Sequence, residues 1–277
     1  MTDLDAAVNG SAVADKTGVR EVKSAARTVE LLELLAERRN EPARLRELSE
    51  ALAAPRSSVY ALLRTLVDRG WVRTDATGTL YSIGIQALLA GTTYLDVDPF
   101  LRIVQPQIND LSAQLDETIH YGRLQGTDIV YLATHESTQY LRPYSRVGRR
   151  LPAFATAMGK SLLAERLEDT GQDGLQAHLP ATMAPLTPHT LIDRADLIAD
   201  LTAGHARGYA VDVEENVVGL KCFAVPLRFT PVPSDAISCS VPIQRLDGRE
   251  EQILDGLRRT RASIERMAPV THSSHYL

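Results

Sequence analysis

The sequence predicts an α/β (α+β) protein in which a small, mainly helical N-terminal domain precedes a larger C-terminal domain with a mainly antiparallel sheet. Two observations support this fold class. Apolar residues recur at helical spacing through residues 24–67, whereas short strand-like runs joined by tight turns alternate with helices beyond residue 98. At 277 residues and 44% hydrophobic side chains, the chain is long enough for two domains with separate cores.

The N-terminal domain is predicted over residues 23–84 and begins with three helices. Ser24 can cap the first helix, which runs to about Arg38. The second and third helices are separated at Ala53-Ala54-Pro55, because proline disfavours helix in the residue before it but is tolerated in the first turn of the next helix. The apolar faces comprise Leu45, Leu48 and Leu52 in the second helix and Val59, Leu62, Leu63, Leu66 and Val67 in the third.

A β-hairpin is predicted directly after these helices. Gly70 can cap the end of the third helix, and residues 71–74 and 79–83 have the composition of short strands. The loop Asp75–Gly78 between them contains the glycine that a tight turn needs. Two helices, a sharp turn and a hairpin in this order are typical of the winged helix-turn-helix, a DNA-binding module. The alternative interpretation is a small helical subdomain that binds another protein.

Hydrogen-bonding side chains occupy the positions at which this module contacts DNA. A recognition helix places its N-terminal end and outer face in the major groove, and the hairpin, or wing, reaches the phosphate backbone. Polar side chains at these positions suit phosphates and base edges. The residues predicted to bind DNA are Arg56, Ser57, Ser58, Tyr60 and Arg64 of the third helix and Arg73 and Thr77 of the wing.

The charge of the chain argues against a broad basic surface. It carries 30 Lys and Arg against 35 Asp and Glu, a net charge of −5, although arginines outnumber acidic residues over residues 55–83. A single copy is therefore expected to bind double-stranded operator DNA weakly and with salt sensitivity. Useful affinity is expected to require a homo-oligomer, either a dimer or a dimer of dimers, on paired half-sites.

Composition assigns the remaining segments. Residues 1–22 are small, polar and aperiodic and are predicted to be disordered, and residues 268–277 are predicted to be a flexible tail. Residues 85–97 form a predicted linker helix, where dimer contacts are expected, and the second domain covers residues 98–267. No apolar run of about 18 residues and no signal-peptide core occur, so a cytoplasmic protein with no membrane partner is expected.

The C-terminal domain is predicted to consist of strands and helices that can enclose a small-molecule pocket. A helix capped by Asp98-Pro99 is expected to run to about Asp116, and a closing helix to span residues 248–267. Strands are predicted near 118–124, 128–134, 139–146, 209–213, 219–229 and 236–243, and further helices near 156–166 and 190–207.

Two long motifs in this second domain resemble a known family. Residues 146–164, RVGRRLPAFATAMGKSLLA, and residues 208–222, GYAVDVEENVVGLKC, are similar to the two signatures of the IclR family of bacterial transcriptional regulators. The similarity runs from about Ser24 to about Met267. It implies a PAS/GAF-like effector-binding domain, a dimer or dimer of dimers, and a small metabolite that alters operator binding. No cofactor is expected.

The resemblance also implies a binding site for small organic acids. Family members hold such acids with the loop-to-helix segment of the first motif, the aspartate and cysteine of the second, and two serines on the following strand. At these positions the sequence has Ala157 and Met158, then Asp212 and Cys222, then Ser238 and Ser240.

The chemistry of these residues favours the same kind of ligand. If Thr156 caps the following helix, the free backbone N–H groups of the three residues ending at Gly159 form an anion site. Ser238 and Ser240 share one sheet face, because side chains alternate along a strand, and both can donate hydrogen bonds. An ionised Asp212 would repel a carboxylate but accept a hydrogen bond from a hydroxyl group. The predicted effector is therefore a hydroxy- or keto-acid.

Simpler interpretations of the same residues stay open from sequence. Cys222 could be a small buried apolar residue, Asp212 could belong to a solvated acidic turn, and Met158 could fill the pocket instead of lining it. Residues 131–146 are most similar to family members that govern sugar-acid or related carbohydrate catabolism, whereas other members respond to aromatic acids.

Enzymes and metal-dependent regulators are the alternative functions. His135-Glu136 lacks the second histidine of a zinc-protease motif, Gly159-Lys160-Ser161 lacks the first glycine of a P-loop, and no Gly-x-Ser-x-Gly elbow occurs. No catalytic or metal site is predicted. A zinc-responsive regulator of the same fold, using Asp212, Cys222 and a distant histidine, stays an alternative, as does an α/β enzyme.

The predicted mechanism is a population shift. The effector is expected to bind one conformation of the oligomer better than another, so that the linker helix near residues 85–95 changes the spacing of the DNA-binding domains. Operator affinity changes as a result. Whether operator binding represses or activates depends on where the operator lies relative to the promoter.

Overall fold

Two units make up the chain, Met1–Asp96 and Val97–Leu277, and each builds its own hydrophobic core. The first is mainly helical with one small sheet. The second surrounds a larger antiparallel sheet with helices. This architecture confirms the predicted α/β (α+β) class, with the winged helix-turn-helix in the first unit and the mainly antiparallel sheet in the second.

The structure is a computed structural model that describes residues 21–38, 41–143 and 146–268. The predicted disordered tail, residues 1–22, and the predicted flexible tail, residues 268–277, lie outside these ranges apart from the innermost residues of each. Within the described ranges, no helix combines the length and the hydropathy needed to cross a membrane.

The first unit contains the predicted helices and hairpin in the predicted order. Its elements are α1 (Lys23–Glu37), β1 (Ala43–Arg44), α2 (Leu45–Ala51), α3 (Arg56–Asp68), β2 (Val72–Thr74), β3 (Leu80–Ile83) and α4 (Ile85–Val97). The strands form an antiparallel sheet in the order β1-β3-β2. The strand β1 was not predicted, because two residues are too few to show an alternating pattern. It is recognised only by its pairing with Tyr81 and Leu80 of β3.

The turn between α2 and α3 is tight and internally bonded. Ala53 has a positive φ of 45°, and the hydroxyl group of Ser49 donates to the carbonyl oxygen of Ala54 at 2.6 Å. Pro55 directly precedes α3, where its fixed φ suits the start of a helix. The helix α3 therefore begins at Arg56, with the arginine side chain exposed.

The helix α4 crosses the boundary between the two units. Gly84 precedes it at a point where no side chain fits, since a Cβ atom there would lie 2.2 Å from the carbonyl oxygen of Gly70. The helix itself is apolar, yet none of its residues is buried. Its exposed large apolar side chains are Ile85, Leu88, Leu89, Tyr94 and Val97.

The second unit is organised around a six-stranded sheet in the order β6-β5-β4-β9-β8-β7, in which every neighbouring pair is antiparallel. Its helices are α5 (Leu101–Leu115), α6 (Ala157–Gln176), α7 (Arg194–Arg207) and α8 (Glu250–Met267). Its strands are β4 (Thr118–Gln125), β5 (Asp128–His135), β6 (Arg150–Pro152), β7 (Ala210–Val213), β8 (Leu220–Leu227) and β9 (Asp235–Pro242).

Helices cover both faces of this sheet. The pair α6 and α7 packs on one face, and the pair α5 and α8 packs on the other. Because side chains alternate along a strand, Ser238 and Ser240 of β9 face α6, whereas Ile237 and Cys239 face the opposite side. The two serines of β9 therefore lie on the α6 face.

Asp98 fixes the start of the second unit, as its predicted capping role requires. One carboxylate oxygen accepts hydrogen bonds from the backbone N–H groups of Phe100 and Leu101 at 3.0 and 2.9 Å. The other pairs with Arg123 at 2.7 Å, and Arg123 also pairs with Asp235 at 2.6 Å. The two carboxylates are buried and share the nearly buried guanidinium of Arg123, so this cluster ties α5 to the sheet.

A β-bulge interrupts the pairing of β4 with β5. His120 pairs with Thr134, and Tyr121 pairs with Ala133, but Gly122 pairs with Tyr131. Leu132 is therefore the extra residue of β5. A bulge shifts the alternation of side chains beyond it, so Tyr131 and Thr134 lie on the same face although they are three residues apart.

The predicted strand at 139–146 is wrong. Residues 139–143 form no strand, residues 144 and 145 lie outside the described residues, and the strand at this sheet edge is β6. Its residues pair with Asp128–Val130 of β5. The side chain of Arg245 instead donates to the carbonyl oxygen of Leu141, so this segment is held by an arginine and not by a sheet.

Two helices of the second unit differ from their predicted extents. The helix α6 continues to Gln176, ten residues past the predicted end, with non-helical geometry at Gly171, where φ is 67°. The helix α7 begins at Arg194 instead of near 190, because the side chain of Asp193 accepts hydrogen bonds from the backbone of Ala195 and Asp196. A capping aspartate marks that start.

Candidate functional site

A cavity of about 470 Å³ opens on the α6 face of the large sheet. Its floor is formed by side chains of β4, β5, β7, β8 and β9, and the amino end of α6 borders it. The loop of residues 214–219 and the segment around Leu141 and Arg142 complete the lining. Its volume lies within the range of small-ligand sites.

The polar residues of the floor form two rows of cross-strand pairs. Asp212, Cys222 and Ser240 are directly paired across β7, β8 and β9, and Ser238 is paired with His120 of β4. Paired residues share a sheet face, so all of these side chains point to the α6 side. The structure thus brings together the aspartate, cysteine and serines that the sequence singled out.

Cys222 contributes a neutral thiol to this floor. Its Sγ atom lies 3.2 Å from the Oγ atom of Ser240. Burial, reinforced by the neighbouring Asp212 carboxylate, raises the pKa of the thiol, which therefore stays protonated at neutral pH. The side chain lines the cavity, and its contact with an effector stays a prediction.

Asp212 is buried, so it does not belong to a solvated turn. Its exposed fraction is 4%, and its carboxylate accepts a hydrogen bond from the backbone N–H of Glu215 at 2.7 Å. Burial and the nearby Glu215 carboxylate raise the pKa of Asp212 to about 7, against the opposing effect of Lys160. Near neutral pH this side chain can therefore act either as an acceptor or, once protonated, as a donor.

The amino end of α6 has the predicted cap. The Thr156 hydroxyl oxygen accepts a hydrogen bond from the backbone N–H of Gly159 at 3.1 Å. That amide is therefore occupied, which corrects the predicted set of three free amides to the two of Ala157 and Met158. Gly159 has a packing role instead, since a Cβ atom there would lie 2.1 Å from the Ala153 carbonyl oxygen.

Met158 lines the cavity without closing it. Its side chain is 1% exposed and packs in the core beneath α6, next to Gly122 of β4. The cavity keeps a volume of about 470 Å³ with this methionine in place.

The 214–219 loop is anchored by side chains from two neighbouring segments. Lys160 of α6 is 1% exposed and pairs with Glu215 and, at 2.8 Å, with Asp200 of α7. The hydroxyl groups of Thr187 and Thr190 donate to the carbonyl oxygens of residues 214 and 215, both at 2.6 Å. Sequence reasoning assigned no role to Lys160, whose position inside the first motif suggested only a P-loop remnant.

The cavity-lining residues that were missed from sequence include the polar residues His120, Tyr131 and Asn216. The buried side-chain nitrogen of Asn216 has no hydrogen-bond partner among the described residues. Tyr131 reaches the cavity face only through the bulge, which the sequence does not mark. His120 lies in a correctly predicted strand, but its place beside Ser238 depends on a register between β4 and β9 that no local pattern reveals.

The predicted DNA-binding residues of α3 lie on its outer side. Arg56, Ser57, Tyr60 and Arg64 are exposed, and Ser58 is half-buried. Val59, Leu63 and Leu66 face the opposite way and are buried in the core of the first unit. Within the described part of the chain, the side chains of Arg56 and Arg64 form no hydrogen bond and no ion pair.

The wing between β2 and β3 is shaped by Asp75. Its carboxylate accepts hydrogen bonds from the Thr77 hydroxyl at 2.5 Å and from the backbone of Leu80 and Thr79 at 2.9 and 3.0 Å. These hydrogen bonds lower the pKa of Asp75 to about 2, and the bond from Thr77 has the largest effect. The Thr77 hydroxyl is thus used within the turn, and Arg73 donates to Ser82, so their contacts with DNA stay predictions.

Metal binding has no geometric support in the described ranges. Nowhere within residues 21–38, 41–143 and 146–268 do three or more His, Cys, Asp or Glu side chains assemble as a set of metal ligands. The zinc alternative that used Asp212 and Cys222 is therefore not carried further.

Both units match family models. Residues 24–76 match the IclR helix-turn-helix domain, and residues 92–266 match the C-terminal domain of the bacterial transcriptional regulator IclR. The two matches follow one another along the chain in the order of the two units.

Full-length relatives agree with these matches. The chain is 34% identical over 237 residues to the HTH-type transcriptional regulator KdgR of Dickeya chrysanthemi, covering 84% of this chain and 75% of the relative. It is 31% identical to the transcriptional repressor IclR of Escherichia coli (strain K12), with 85% of each chain covered. A crystal structure of an IclR transcriptional regulator from Alicyclobacillus acidocaldarius superposes with a TM-score of 0.77 at 22% identity, covering 90% of this chain and 100% of that one.

Proposed function

Because this chain belongs to the IclR family of bacterial transcriptional regulators, we propose that its operator affinity is controlled by a small hydroxy- or keto-acid bound in the cavity of its second unit. The chain is a DNA-binding transcriptional regulator and not an enzyme. We further propose that the regulator acts in the cytoplasm, where the operator DNA lies.

One observation carries the effector proposal, namely the combination of donors around the cavity. The two amides at the start of α6 and the hydroxyl groups of Ser238 and Ser240 are suited to a carboxylate. Asp212, with its raised pKa, can pair with a hydroxyl or keto oxygen of the same molecule. The similarity of residues 131–146 to members that govern sugar-acid catabolism favours a sugar acid or a related carbohydrate catabolite.

Operator recognition is assigned to the exposed side of α3 and the wing. Arg56, Ser57, Tyr60 and Arg64 offer donors and an aromatic ring at the positions that enter a major groove. Ser58 supports that end of the helix, and Arg73 and Thr77 would approach the phosphates from the wing. A homo-oligomer would place two such surfaces on paired half-sites, and the exposed apolar residues of α4 suit contacts between copies.

The effector would act by shifting a population. An acid that binds one conformation of the oligomer more tightly stabilises that conformation by the difference in binding free energy. If the two conformations hold the DNA-binding units at different spacings, operator affinity changes with effector concentration. The boundary helix α4 is the element that connects the two units and would carry this change.

The test begins by selecting operator duplexes from a randomised library with the full-length protein. Fluorescence anisotropy then measures operator affinity while hydroxy-, keto-, sugar and aromatic acids are titrated, and a thermal-shift assay reports direct binding of the same acids. We expect one chemical class of acid both to raise the melting temperature and to change operator affinity. A protein that bound operator but was insensitive to every acid would contradict the effector assignment.

Ser238→Ala and Ser240→Ala are expected to weaken acid binding selectively. A hydrogen bond to a charged group contributes about 1.5–3 kcal/mol, so each variant should lose roughly 10- to 100-fold in affinity by isothermal titration calorimetry. Operator affinity without acid should stay at the wild-type value. Ser263→Ala, on α8 and away from the cavity, serves as the control. Equal acid affinity in all three variants would remove the serines from the site.

Asp212→Asn is expected to abolish a pH dependence of acid binding. Because its pKa is about 7, wild-type Asp212 is ionised above that pH and repels a bound carboxylate, with Glu215 and Lys160 as its charged neighbours. Wild-type affinity should therefore fall between about pH 6 and pH 8 by up to roughly tenfold per pH unit, whereas the variant should show a flat profile.

Asp212→Asn should also change how the free energy of unfolding depends on pH. The pKa of Asp212 is raised on folding from 3.8 to about 7, so its contribution to stability is complete below pH 3.8 and is lost as pH rises through 7. The free energy of unfolding of the wild type should therefore decline across that window relative to Asp212→Asn. Urea denaturation at several pH values measures this difference, and parallel curves would contradict the raised pKa.

A further inference from the structure

His120 and Tyr131 form a pair on the cavity face that the carboxylate site does not use. Their rings meet edge to face, with centroids 5.1 Å apart and an interplanar angle of 76°. The pair exists because of the β-bulge, which places Tyr131 on the same face as His120. Both side chains are buried, with exposed fractions of 2% and 7%, and both line the cavity.

Each of the two side chains presents an unpaired polar atom to the cavity. The Nδ1 atom of His120 is 3.0 Å from the Thr134 hydroxyl oxygen, which fixes the ring. In the described part of the chain, neither Nε2 of His120 nor the hydroxyl group of Tyr131 has a hydrogen-bond partner. Both residues lie on the cavity lining, where a ligand or water can complete their hydrogen bonds.

Both side chains are neutral at physiological pH. Burial and the positive charge of Arg149 lower the pKa of His120 to about 3. Burial, followed by the nearby Cys222 and Asp212, raises the pKa of the Tyr131 hydroxyl. A neutral imidazole and a neutral phenol match groups that donate and accept hydrogen bonds at once, which is the property of a hydroxyl group. The free backbone amides at the start of α6 are better hydrogen-bond partners for a carboxylate.

We propose that His120 and Tyr131 are specificity-determining residues that bind hydroxyl groups of the effector, so that the cavity selects a polyhydroxylated carboxylic acid over a hydroxyl-free acid of equal length. This inference rests on the proposed effector function of the same cavity. His120 on β4 and Asp212 on β7 are three strands apart, about 14 Å at ordinary strand spacing. That width exceeds a two- or three-carbon acid and suits a chain of five or six carbons.

The experiment compares acids that differ only in hydroxylation. Isothermal titration calorimetry of the full-length protein is run with aldonic and 2-ketoaldonic acids of five and six carbons, and with pentanoate and hexanoate. Tyr131→Phe removes one oxygen atom, and His120→Phe keeps a ring in the same space. Tyr209→Phe and His205→Gln, which lie outside the cavity lining, are the matched controls.

We expect at least one hydroxylated acid to bind at least tenfold more tightly than the hydroxyl-free acid of equal length. Tyr131→Phe and His120→Phe should each reduce that preference by roughly fivefold or more, while hexanoate affinity and operator affinity stay unchanged. The two control variants should retain the wild-type preference.

Two results would overturn the inference while leaving the proposed function in place. One is equal binding of hydroxylated and hydroxyl-free acids that still depends on Ser238. The other is a hydroxyl preference that survives both cavity variants. Failure of every acid to bind would instead refute the proposed effector function together with this inference.

Discussion

Replacing Arg56 by alanine should reduce operator affinity at least about 30-fold while leaving effector binding intact. Arg56 is the first residue of α3, its side chain is exposed, and it forms no ion pair with the described residues. A base-edge contact contributes about 1–3 kcal/mol, and two copies on paired half-sites double that loss. Fluorescence anisotropy with the selected operator measures the affinity at two or more salt concentrations, because the electrostatic part depends on salt.

The control for Arg56→Ala is Arg259→Ala, which removes the same charge from an exposed position on α8. It should change operator affinity far less. Arg56→Lys separates charge from geometry, since lysine keeps the charge but lacks the planar fork that binds guanine. A lower melting temperature of Arg56→Ala, with parallel loss of acid binding, would show that this arginine is structural.

Lys160→Met should lower the free energy of unfolding by roughly 3–5 kcal/mol, because it leaves the buried Glu215 carboxylate without its cation. Lys160 is 1% exposed and pairs with Glu215 and with the half-buried Asp200, and the second oxygen atom of Glu215 already lacks a hydrogen bond in the described residues. The 214–219 loop would lose an anchor, so acid affinity should fall as well. Urea denaturation and calorimetry measure the two effects.

Lys221→Met is the matched control for this substitution. Lys221 pairs with Glu250 at 2.7 Å, but the glutamate is half exposed, so the pair should contribute only about 0–1 kcal/mol. A Lys160→Met protein as stable as Lys221→Met would show that the two carboxylates are protonated or solvated in the folded protein. Burial raises the pKa of Glu215, which favours partial protonation of this carboxylate. The denaturation is therefore repeated at higher pH to exclude that explanation.

The sequence predicted those parts of the fold that depend on local patterns. The apolar positions of α3, the proline before it and the glycine of the wing each mark one element without reference to the rest of the chain. The capping threonine of α6 and the alternating serines of β9 were predicted for the same reason. In each case the residues that define the element lie within a few positions of one another in the sequence.

Other features depend on partners far along the chain and escaped prediction. The edge strand β6 lies at Arg150–Pro152 because it pairs with β5, whereas the segment at 139–143 has no such partner among the described residues. The bulge at Leu132 is a property of two strands together. Likewise Lys160 is recognisable as an anchor only when Glu215, 55 positions away, is placed against it.

Lys160 also links two parts of the cavity that the sequence keeps far apart. The amides of Ala157 and Met158 and the side chain of Lys160 belong to one turn of α6, and Lys160 holds the loop after β7. The effects of substitutions in the helix and in the loop on acid affinity should therefore be non-additive, because a change in either element alters the position of the other. His120 and Tyr131 stand on separate strands outside this linkage. The part of the sheet formed by β4 and β5 is thus where single substitutions should change which acid is sensed without loss of the carboxylate site.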